Sequence, residues 1–233
     1  MSSSTPNVFV IIPAFNEQDS IGKVINDIPK RVKEIVVVNN NSTDNTAKVA
    51  SQFGAKVLNQ TIQGYGAACL MGIDYLLKVA QTNDIVVFMD GDYADYPQEL
   101  IQLIEPIESQ KFDFVVGSRA LGKAEAGSLT VPQQFGNWLA GKLIHLIYGL
   151  NVTDLGPFRA LKLSSLQQLN MVDMNYGWTA EMQVKAAKKK LKYLEVPVNY
   201  KNRIGVSKVS GTVKGTIMAG YKILYTIFKY SIK

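Results

Sequence analysis

Two carboxylates that lie one residue apart, directly after a run of apolar residues, are the feature of this chain best suited to chemistry. Ile85-Val86-Val87-Phe88-Met89 predicts a buried strand, and it ends in Asp90-Gly91-Asp92. In open α/β sheets, ligands bind outside the carboxyl ends of the strands. Two aspartates there offer hard oxygen ligands, which suit Mg²⁺ or Mn²⁺ bridging phosphate groups. The alternative interpretation is a surface turn, because Asp and Gly are ordinary turn residues.

Polar segments also follow other apolar runs, and each has a candidate task. Pro13-Ala14-Phe15-Asn16-Glu17 supplies a backbone turn and a carboxylate beside which a nucleoside can rest. Asn39-Asn40-Asn41 supplies amides that can both donate hydrogen bonds to a base and accept them from it. Arg119 comes at the end of a further strand, facing the same crevice. Further along the chain, three residues predict a basic clamp for phosphates: Arg203, Ser207 and Lys208.

These segments need a scaffold that brings the strand ends to one edge of a sheet. The first half of the chain alternates short β-branched runs with helical patterns, from Val8–Ile12 to Phe112–Val116. Such alternation predicts an α/β fold, with a mostly parallel sheet flanked by helices. In the second half, the patterns predict a mobile loop over 121–134, helices over 135–148 and 178–190, a strand over 193–200 and a helix over 213–233.

Composition limits the domain organisation and the compartment. The chain has 233 residues, of which 47% are hydrophobic, so we expect one domain over 1–210 and an appended segment over 211–233. The net charge of +6 suits phosphate-bearing ligands or an anionic membrane surface. The single Cys69 excludes a disulfide framework within the chain and fits a reducing, cytoplasmic location. We expect neither a signal peptide nor a membrane-spanning segment.

The segment over 211–233 predicts a basic amphipathic helix. A lysine stripe is formed by Lys222, Lys229 and Lys233. The residues largely opposite this stripe are apolar or aromatic, namely Ile217, Tyr221, Leu224, Ile227 and Phe228. Such a helix is typical of a peripheral membrane surface. The alternatives are a helix that covers the core or one that contacts a second copy of the chain, which leaves a homo-oligomer open.

The ordered set of these segments resembles the family 2 glycosyltransferases, which have the GT-A fold. The resemblance covers about residues 7–210 and is carried by residues 13–17 and 37–44, Asp90-Gly91-Asp92 and Gly117-Ser118-Arg119. Within that family the chain resembles the polyprenyl (dolichyl) phosphate sugar transferases, through residues 154–160 and through Val196-Pro197-Val198 with the basic residues that follow.

The resemblance implies an inverting, metal-dependent transfer of a hexose from a UDP- or GDP-linked sugar to a polyprenyl phosphate, at the cytoplasmic face of a membrane. Asp90 and Asp92 are implied to bind Mg²⁺ or Mn²⁺ and the diphosphate, and Arg119 to face the acceptor phosphate. The expected donor-binding residues are Pro13, Ala14, Phe15, Glu17, Asn39, Asn40, Asp90, Gly91, Asp92, Arg203, Ser207 and Lys208.

The acceptor decides whether the reaction needs a base. A lipid phosphate is already an anion and attacks without one, whereas a hydroxyl acceptor needs a general base. Glu181 is the candidate for that base, and the alternative is a helix carboxylate paired with Lys185 four residues on.

Two other classes of protein are the alternatives to a glycosyltransferase. Related enzymes commonly have other polar residues at three positions of this chain, namely Asn39, Asn40 and Ala94. These departures leave open the alternative that the chain is a nucleotide-sugar-binding protein without catalytic activity. A nucleic-acid-binding protein is disfavoured, because the lysines belong to no recognition motif and a carboxylate-lined crevice repels a phosphate backbone.

Overall fold

The computed structural model of the chain describes residues 5–205 and 213–231. The strands within these residues are β1 (Val8–Ala14), β2 (Val32–Asn39), β3 (Lys56–Asn59), β4 (Ile85–Phe88), β5 (Phe114–Ser118), β6 (Arg159–Lys162) and β7 (Tyr193–Pro197). The α-helices are α1 (Ile21–Asp27), α2 (Thr46–Gln52), α3 (Tyr65–Val79), α4 (Leu100–Glu108), α5 (Val131–Tyr148), α6 (Leu163–Leu169), α7 (Trp178–Lys188) and α8 (Val213–Lys229).

The strands form one sheet in the order β3-β2-β1-β4-β6-β5-β7. All neighbours are parallel except β6, which runs antiparallel to both β4 and β5. The predicted α/β fold with a mostly parallel sheet is therefore confirmed. Parallel pairing of β1 with β2 and β4 brings their carboxyl ends to one edge of the sheet.

The sheet is covered by helices on both faces, which explains the continuous apolar runs of its central strands. One face of β1, with Val10 and Ile12, packs with residues of α1, α2 and α4. The other face, with Phe9 and Ile11, packs with residues of α3, α6 and α7. The core therefore holds the strand ends in place from two sides.

Several elements differ from the sequence prediction. The helix predicted over 135–148 begins at Val131, because the Thr130 side chain and Gln133 form a capping box and Pro132 occupies the first turn. The predicted mobile loop over 121–134 is shorter by those residues. β6 and α6 were not predicted, since a four-residue strand with a basic residue at each end lacks the apolar run of the other central strands.

α8 packs against α5 and α7. Ile227 is buried in the cluster that these three helices share. Part of the predicted lysine stripe faces the protein, because Lys222 forms an ion pair with Asp173 at 3.1 Å; Lys233 lies outside the described residues. Within residues 5–205 and 213–231, no helix combines the length and the apolar character that crossing a membrane requires.

Candidate functional site

A first cavity of about 430 Å³ opens at the carboxyl ends of β1 and β4 and at the start of α3. It is lined by Pro13, Ala14, Phe15, Glu17, Asn40, Gln63, Gly64, Tyr65, Asp90, Gly91, Asp92, Asn175, Tyr176 and Arg203. Of the predicted donor-binding residues in the described part of the chain, all except Asn39 line this cavity. Ser207 and Lys208 lie outside the described residues.

The carboxylates after β4 have unequal surroundings. Among the described residues the buried Oδ1 atom of Asp90 has no hydrogen-bond partner, whereas Asp92 accepts from the Ala94 amide at 3.0 Å and pairs with Arg203 at 2.8 Å. Burial, and secondly the charge of Asp92, raise the pKa of Asp90 well above its ordinary value. Burial also raises the pKa of Asp95, whose two side-chain oxygens are buried and find no partner among the described residues. Acidic groups are therefore concentrated at the end of β4, where each disfavours the ionisation of the others.

Asp90 and Asp92 fit a hard divalent cation. A cation would satisfy the buried Oδ1 atom of Asp90 and relieve the repulsion between the two carboxylates. The described residues contain no group of three or more His, Cys, Asp or Glu side chains that can hold a metal ion. Mg²⁺ is usually held by one or two carboxylates together with substrate phosphates, so two aspartates suffice.

The amides of Asn39 and Asn40 stabilise the loop after β3. Asn39 donates to the Asn59 side chain at 3.0 Å, and Asn40 donates to the Ile62 carbonyl at 2.7 Å. The Asn40 side-chain oxygen accepts from the Gly64 amide at 2.8 Å. These amides were predicted to contact a base, and in the structure they form the scaffold of the cavity wall.

The start of α3 supplies lining residues that the sequence reasoning missed, in the segment Gln63-Gly64-Tyr65. The buried Tyr65 hydroxyl lies beside Asp90 and makes no hydrogen bond of good geometry within the described residues. The amides of Gly64 and Ala67 are engaged by Asn40 and Met174, so it is the partial positive charge of the helix start that suits a phosphate group. The glycines of Gly64-Tyr65-Gly66, at the start of a helix that follows a strand, were the signal that could have found this segment.

Asn175 and Tyr176 also line the first cavity, and the sequence reasoning did not predict them. They belong to the segment between α6 and α7, which has no periodic pattern. The Met174 carbonyl accepts from the Ala67 amide at 2.9 Å, which joins this segment to the start of α3. A Cβ atom at Gly64 or at Gly66 would collide with backbone atoms of this segment, so the glycines permit the close approach.

A second cavity of about 940 Å³ lies between the loop after β5, α5 and residues 151–154. Its polar lining includes Arg119, Glu125, Asn137, Lys142, His145 and Asp154. Beside it, α5 exposes the large apolar side chains of Val131, Phe135, Trp138 and Leu146. Arg119 was predicted to face the crevice at the strand ends, and the structure places it in this second cavity.

Arg119 is held by a buried ion pair. Its Nε atom donates to Oδ2 of Asp154 at 2.7 Å, and its Nη2 atom donates to Oδ1 at 2.6 Å. The Asp154 carboxylate also accepts from the Arg119 backbone amide and from Asn137. A two-point contact of this kind fixes the plane of the guanidinium. Three of its five N–H groups remain outside this contact.

Tyr200 connects the two cavities. Its ring lies 4.9 Å from the guanidinium carbon of Arg119, and its hydroxyl accepts from Arg203 at 3.4 Å. Arg203 lines the first cavity and Arg119 the second, so one buried side chain contacts the arginine of each.

Glu181 lies in neither of these cavities. It is fully buried at the start of α7 and lines a third, smaller cavity of about 230 Å³. Its carboxylate accepts from the Asp173 amide at 2.8 Å and from the Tyr230 hydroxyl at 2.7 Å, and it pairs with Lys185 at 2.7 Å. The structure therefore does not bring Glu181 together with the other predicted site residues, and it shows the i,i+4 pair with Lys185 that was the alternative.

Comparison with known proteins identifies the family and the fold. Residues 9–169 match the family described as "Glycosyl transferase family 2". An uncharacterised glycosyltransferase of Mycobacterium tuberculosis is 34% identical over 215 residues, which are 91% of this chain and 94% of the relative. The undecaprenyl-phosphate mannosyltransferase of Micrococcus luteus is 27% identical, over 89% of each chain. The UDP-N-acetylglucosamine–dolichyl-phosphate N-acetylglucosaminyltransferase of Methanococcus voltae is 27% identical, over 94% of each.

Among solved structures, glucosyl-3-phosphoglycerate synthase of Mycobacterium tuberculosis in complex with Mn²⁺, UDP-glucose and phosphoglyceric acid superposes with a TM-score of 0.76. The match covers 97% of this chain and 80% of that chain, at 20% identity. This likeness confirms the predicted GT-A fold. Since the family match covers most of the chain, the protein belongs to glycosyl transferase family 2.

Proposed function

We propose that this family 2 glycosyltransferase moves a hexose from a UDP- or GDP-linked sugar to a polyprenyl phosphate, with inversion at the anomeric carbon. The observation that carries the acceptor class is that both carboxylates lining the second cavity, within the described residues, are engaged. Asp154 pairs with Arg119, and Glu125 accepts from the Asn202 backbone at 2.9 Å and side chain at 3.2 Å. A hydroxyl acceptor needs a free base, whereas a phosphate does not.

The donor is assigned to the first cavity. Pro13, Ala14, Phe15 and Glu17 line the part in which a nucleoside fits, and the start of α3 faces the same space. Asp90 and Asp92 would hold Mg²⁺ or Mn²⁺, which supplies positive charge for the diphosphate when it is bound. Arg203, already beside Asp92, adds a second positive charge for the leaving group, and Ser207 and Lys208 are expected to extend this clamp.

The reaction follows from the charges of the two substrates. An oxygen of the acceptor phosphate attacks the anomeric carbon of the sugar while the bond from that carbon to the diphosphate oxygen breaks. The nucleoside diphosphate leaves with the bonding electron pair, and one displacement at carbon inverts the configuration. Arg119, fixed in its plane by Asp154, orients the attacking phosphate and does not need to remove a proton.

A lipid acceptor places the enzyme at a membrane surface. α5 exposes Phe135 and Trp138 beside the second cavity, and α8 exposes Ile217, Tyr221 and Phe228. Exposed aromatic and apolar side chains with nearby lysines suit an interface with anionic lipids. We therefore propose peripheral binding at the cytoplasmic face of a membrane, with residues 1–210 carrying the chemistry and residues 211–233 assisting attachment.

The relatives' names support a lipid phosphate acceptor, because two of them contain undecaprenyl phosphate or dolichyl phosphate. The structural relatives were instead solved with phosphoglyceric acid. An experiment that offers both lipid phosphate and phosphoglyceric acid therefore distinguishes the two classes of acceptor.

The test incubates the purified protein with Mn²⁺ or Mg²⁺, a panel of UDP- and GDP-sugars and a short polyprenyl phosphate, and detects lipid-linked sugar by mass spectrometry. The proposal predicts such a product with one donor and its loss in Asp92→Ala. Donor consumption with phosphoglyceric acid, and none with polyprenyl phosphate, would overturn the proposed acceptor. Absence of turnover with every donor and both acceptors would overturn the proposed transfer.

A further inference from the structure

We propose that Glu181 is a positioning residue of the first cavity. We further propose that the packing of α8 against α5 and α7 controls nucleotide affinity through Glu181. This inference rests on the proposed function, because it assigns the first cavity to the nucleotide sugar. Its basis is a continuous set of contacts from the cavity wall, through Glu181, to the end of α8.

The wall itself is a segment without secondary structure. Asn175 and Tyr176 line the cavity, and the residues just before them pack on the start of α3. Glycines at positions 64 and 66 leave no space between the two backbones. A small displacement of residues 172–174 would therefore move both Asn175–Tyr176 and the start of α3.

Glu181 holds this segment from behind. Its carboxylate accepts from the backbone amides of Val172 at 3.2 Å and Asp173 at 2.8 Å. Hydrogen bonds from two successive amides to one buried charge are strong and directional. The position of the cavity wall is thus fixed by a side chain that does not line the cavity.

α8 and the residue that follows it contact both Glu181 and the segment that Glu181 holds. The Tyr230 hydroxyl donates to Glu181 at 2.7 Å, and Lys222 pairs with Asp173 at 3.1 Å. Lys188 of α7 donates to the Tyr230 carbonyl at 2.7 Å, which fixes the residue that carries this hydroxyl. If α8 moves away from α5 and α7, the Glu181 carboxylate loses its Tyr230 partner, and residues 172–174 lose the ion pair between Asp173 and Lys222.

The same contacts argue against Glu181 as a base. A base must reach the proton that it removes, and this carboxylate is fully buried with amide, hydroxyl and ammonium partners. The coupling between α8 and the nucleotide acts in both directions, because a coupling free energy is the same for the two events that it links. A change that packs α8 more firmly against α5 and α7 therefore tightens nucleotide binding, and bound nucleotide favours the packed position of α8.

The primary test is Tyr230→Phe, which removes one hydroxyl and leaves the ring. Calorimetry with UDP and with GDP, each with Mn²⁺ and without lipid, should show Kd raised about 5-fold or more, in the usual range of coupling between sites. The matched control is Tyr75→Phe, which removes a hydroxyl that donates to Glu34 at 2.9 Å. The control should leave Kd unchanged.

The outcomes separate this inference from the proposed function. If the wild-type protein binds neither nucleotide, the assignment of the first cavity fails and the inference fails with it. If the wild-type protein binds a nucleotide and Tyr230→Phe binds it equally well, the inference alone is overturned.

Glu181→Gln gives a second, independent readout. A positioning role predicts weaker nucleotide binding, about 5-fold or more, with kcat at saturating donor largely retained. A base predicts the opposite division, with unchanged Kd and kcat lowered about 100-fold or more. The second pattern would overturn the inference even if Tyr230→Phe were too unstable to measure.

Discussion

The first cavity is built from strand ends and the start of a helix, whereas the second is built from a loop and the exposed side of α5. In the first, the Asp90 Oδ1 atom and the neighbouring Tyr65 hydroxyl are buried and make no hydrogen bond of good geometry with the part of the chain that the structure describes. In the second, the charge of Arg119 is already matched by Asp154. The first cavity therefore keeps buried polar groups for a charged ligand at some cost in stability, while in the second the buried carboxylate and guanidinium are paired with each other and the neighbouring helix adds apolar surface.

The largest effect is expected from Asp90→Asn, which removes the unsatisfied charge of the first cavity. We expect transfer to fall about 100-fold or more, as for other groups that stabilise charge in the transition state. Because burial raises the pKa of Asp90, the folded wild-type protein loses stability as pH rises from about 3.9 through that raised value. The variant lacks this loss, so it should unfold at a higher temperature at neutral pH without metal.

Rate assays at saturating Mn²⁺ and thermal unfolding in a chelator measure these two effects. Asp74→Asn, at an exposed position of α3, is the control and should change neither. Full activity in Asp90→Asn would contradict the assignment of a charged ligand to this cavity.

In the second cavity, the main effect of substituting Asp154 should be a lower free energy of unfolding. Asp154→Asn leaves the buried Arg119 without its counter-charge, and breaking a buried pair in this way costs about 3 kcal/mol. Urea denaturation measures the change in the free energy of unfolding. The double variant with Arg119→Met should lose less than the sum of the two single variants, and strict additivity would show that the pair is not coupled.

The apolar surface beside the second cavity is tested by Phe135→Ala combined with Trp138→Ala. Loss of two exposed aromatic side chains should weaken binding to anionic vesicles about 10-fold or more, because each buries apolar area in the interface. Nucleotide affinity should not change. Leu77→Ala, an exposed apolar position on α3, is the control. If the double variant instead turns a dimer into a monomer during sedimentation, this surface joins two copies of the chain.

The smallest effect is expected from His145→Gln. This histidine lines the second cavity, and a phosphate acceptor needs no base there. We expect kcat to change less than about 3-fold. A fall in kcat of about 100-fold or more would instead indicate a hydroxyl acceptor activated by His145.

The first cavity could be anticipated largely because its residues follow regular strands. An apolar run that ends in Asp90-Gly91-Asp92 places those carboxylates at the sheet edge whatever the rest of the chain does. Asn175 and Tyr176 could not be anticipated in this way. Their position depends on contacts with Glu181 and with the start of α3, which no local pattern encodes.

The second cavity was harder to anticipate, because its polar groups meet only through the tertiary fold. Arg119 was predicted as a site residue, but its partner Asp154 comes 35 residues later. Glu181 was chosen as a candidate base from its residue type and neighbours. Glu181 is completely buried and accepts from Tyr230, 49 residues along the chain, and side-chain type alone does not reveal that.

The place of β6 has a consequence for how the chain assembles during synthesis. β6 lies between β4 and β5 but is made only after β5 and α5. Until residue 162 has left the ribosome, the apolar β4 has no neighbour on that side, and an unpaired strand edge invites pairing with other chains. The first half of the sheet can form early from β1, β2, β3 and β4, and a single late strand of four residues then protects the nascent protein from aggregation.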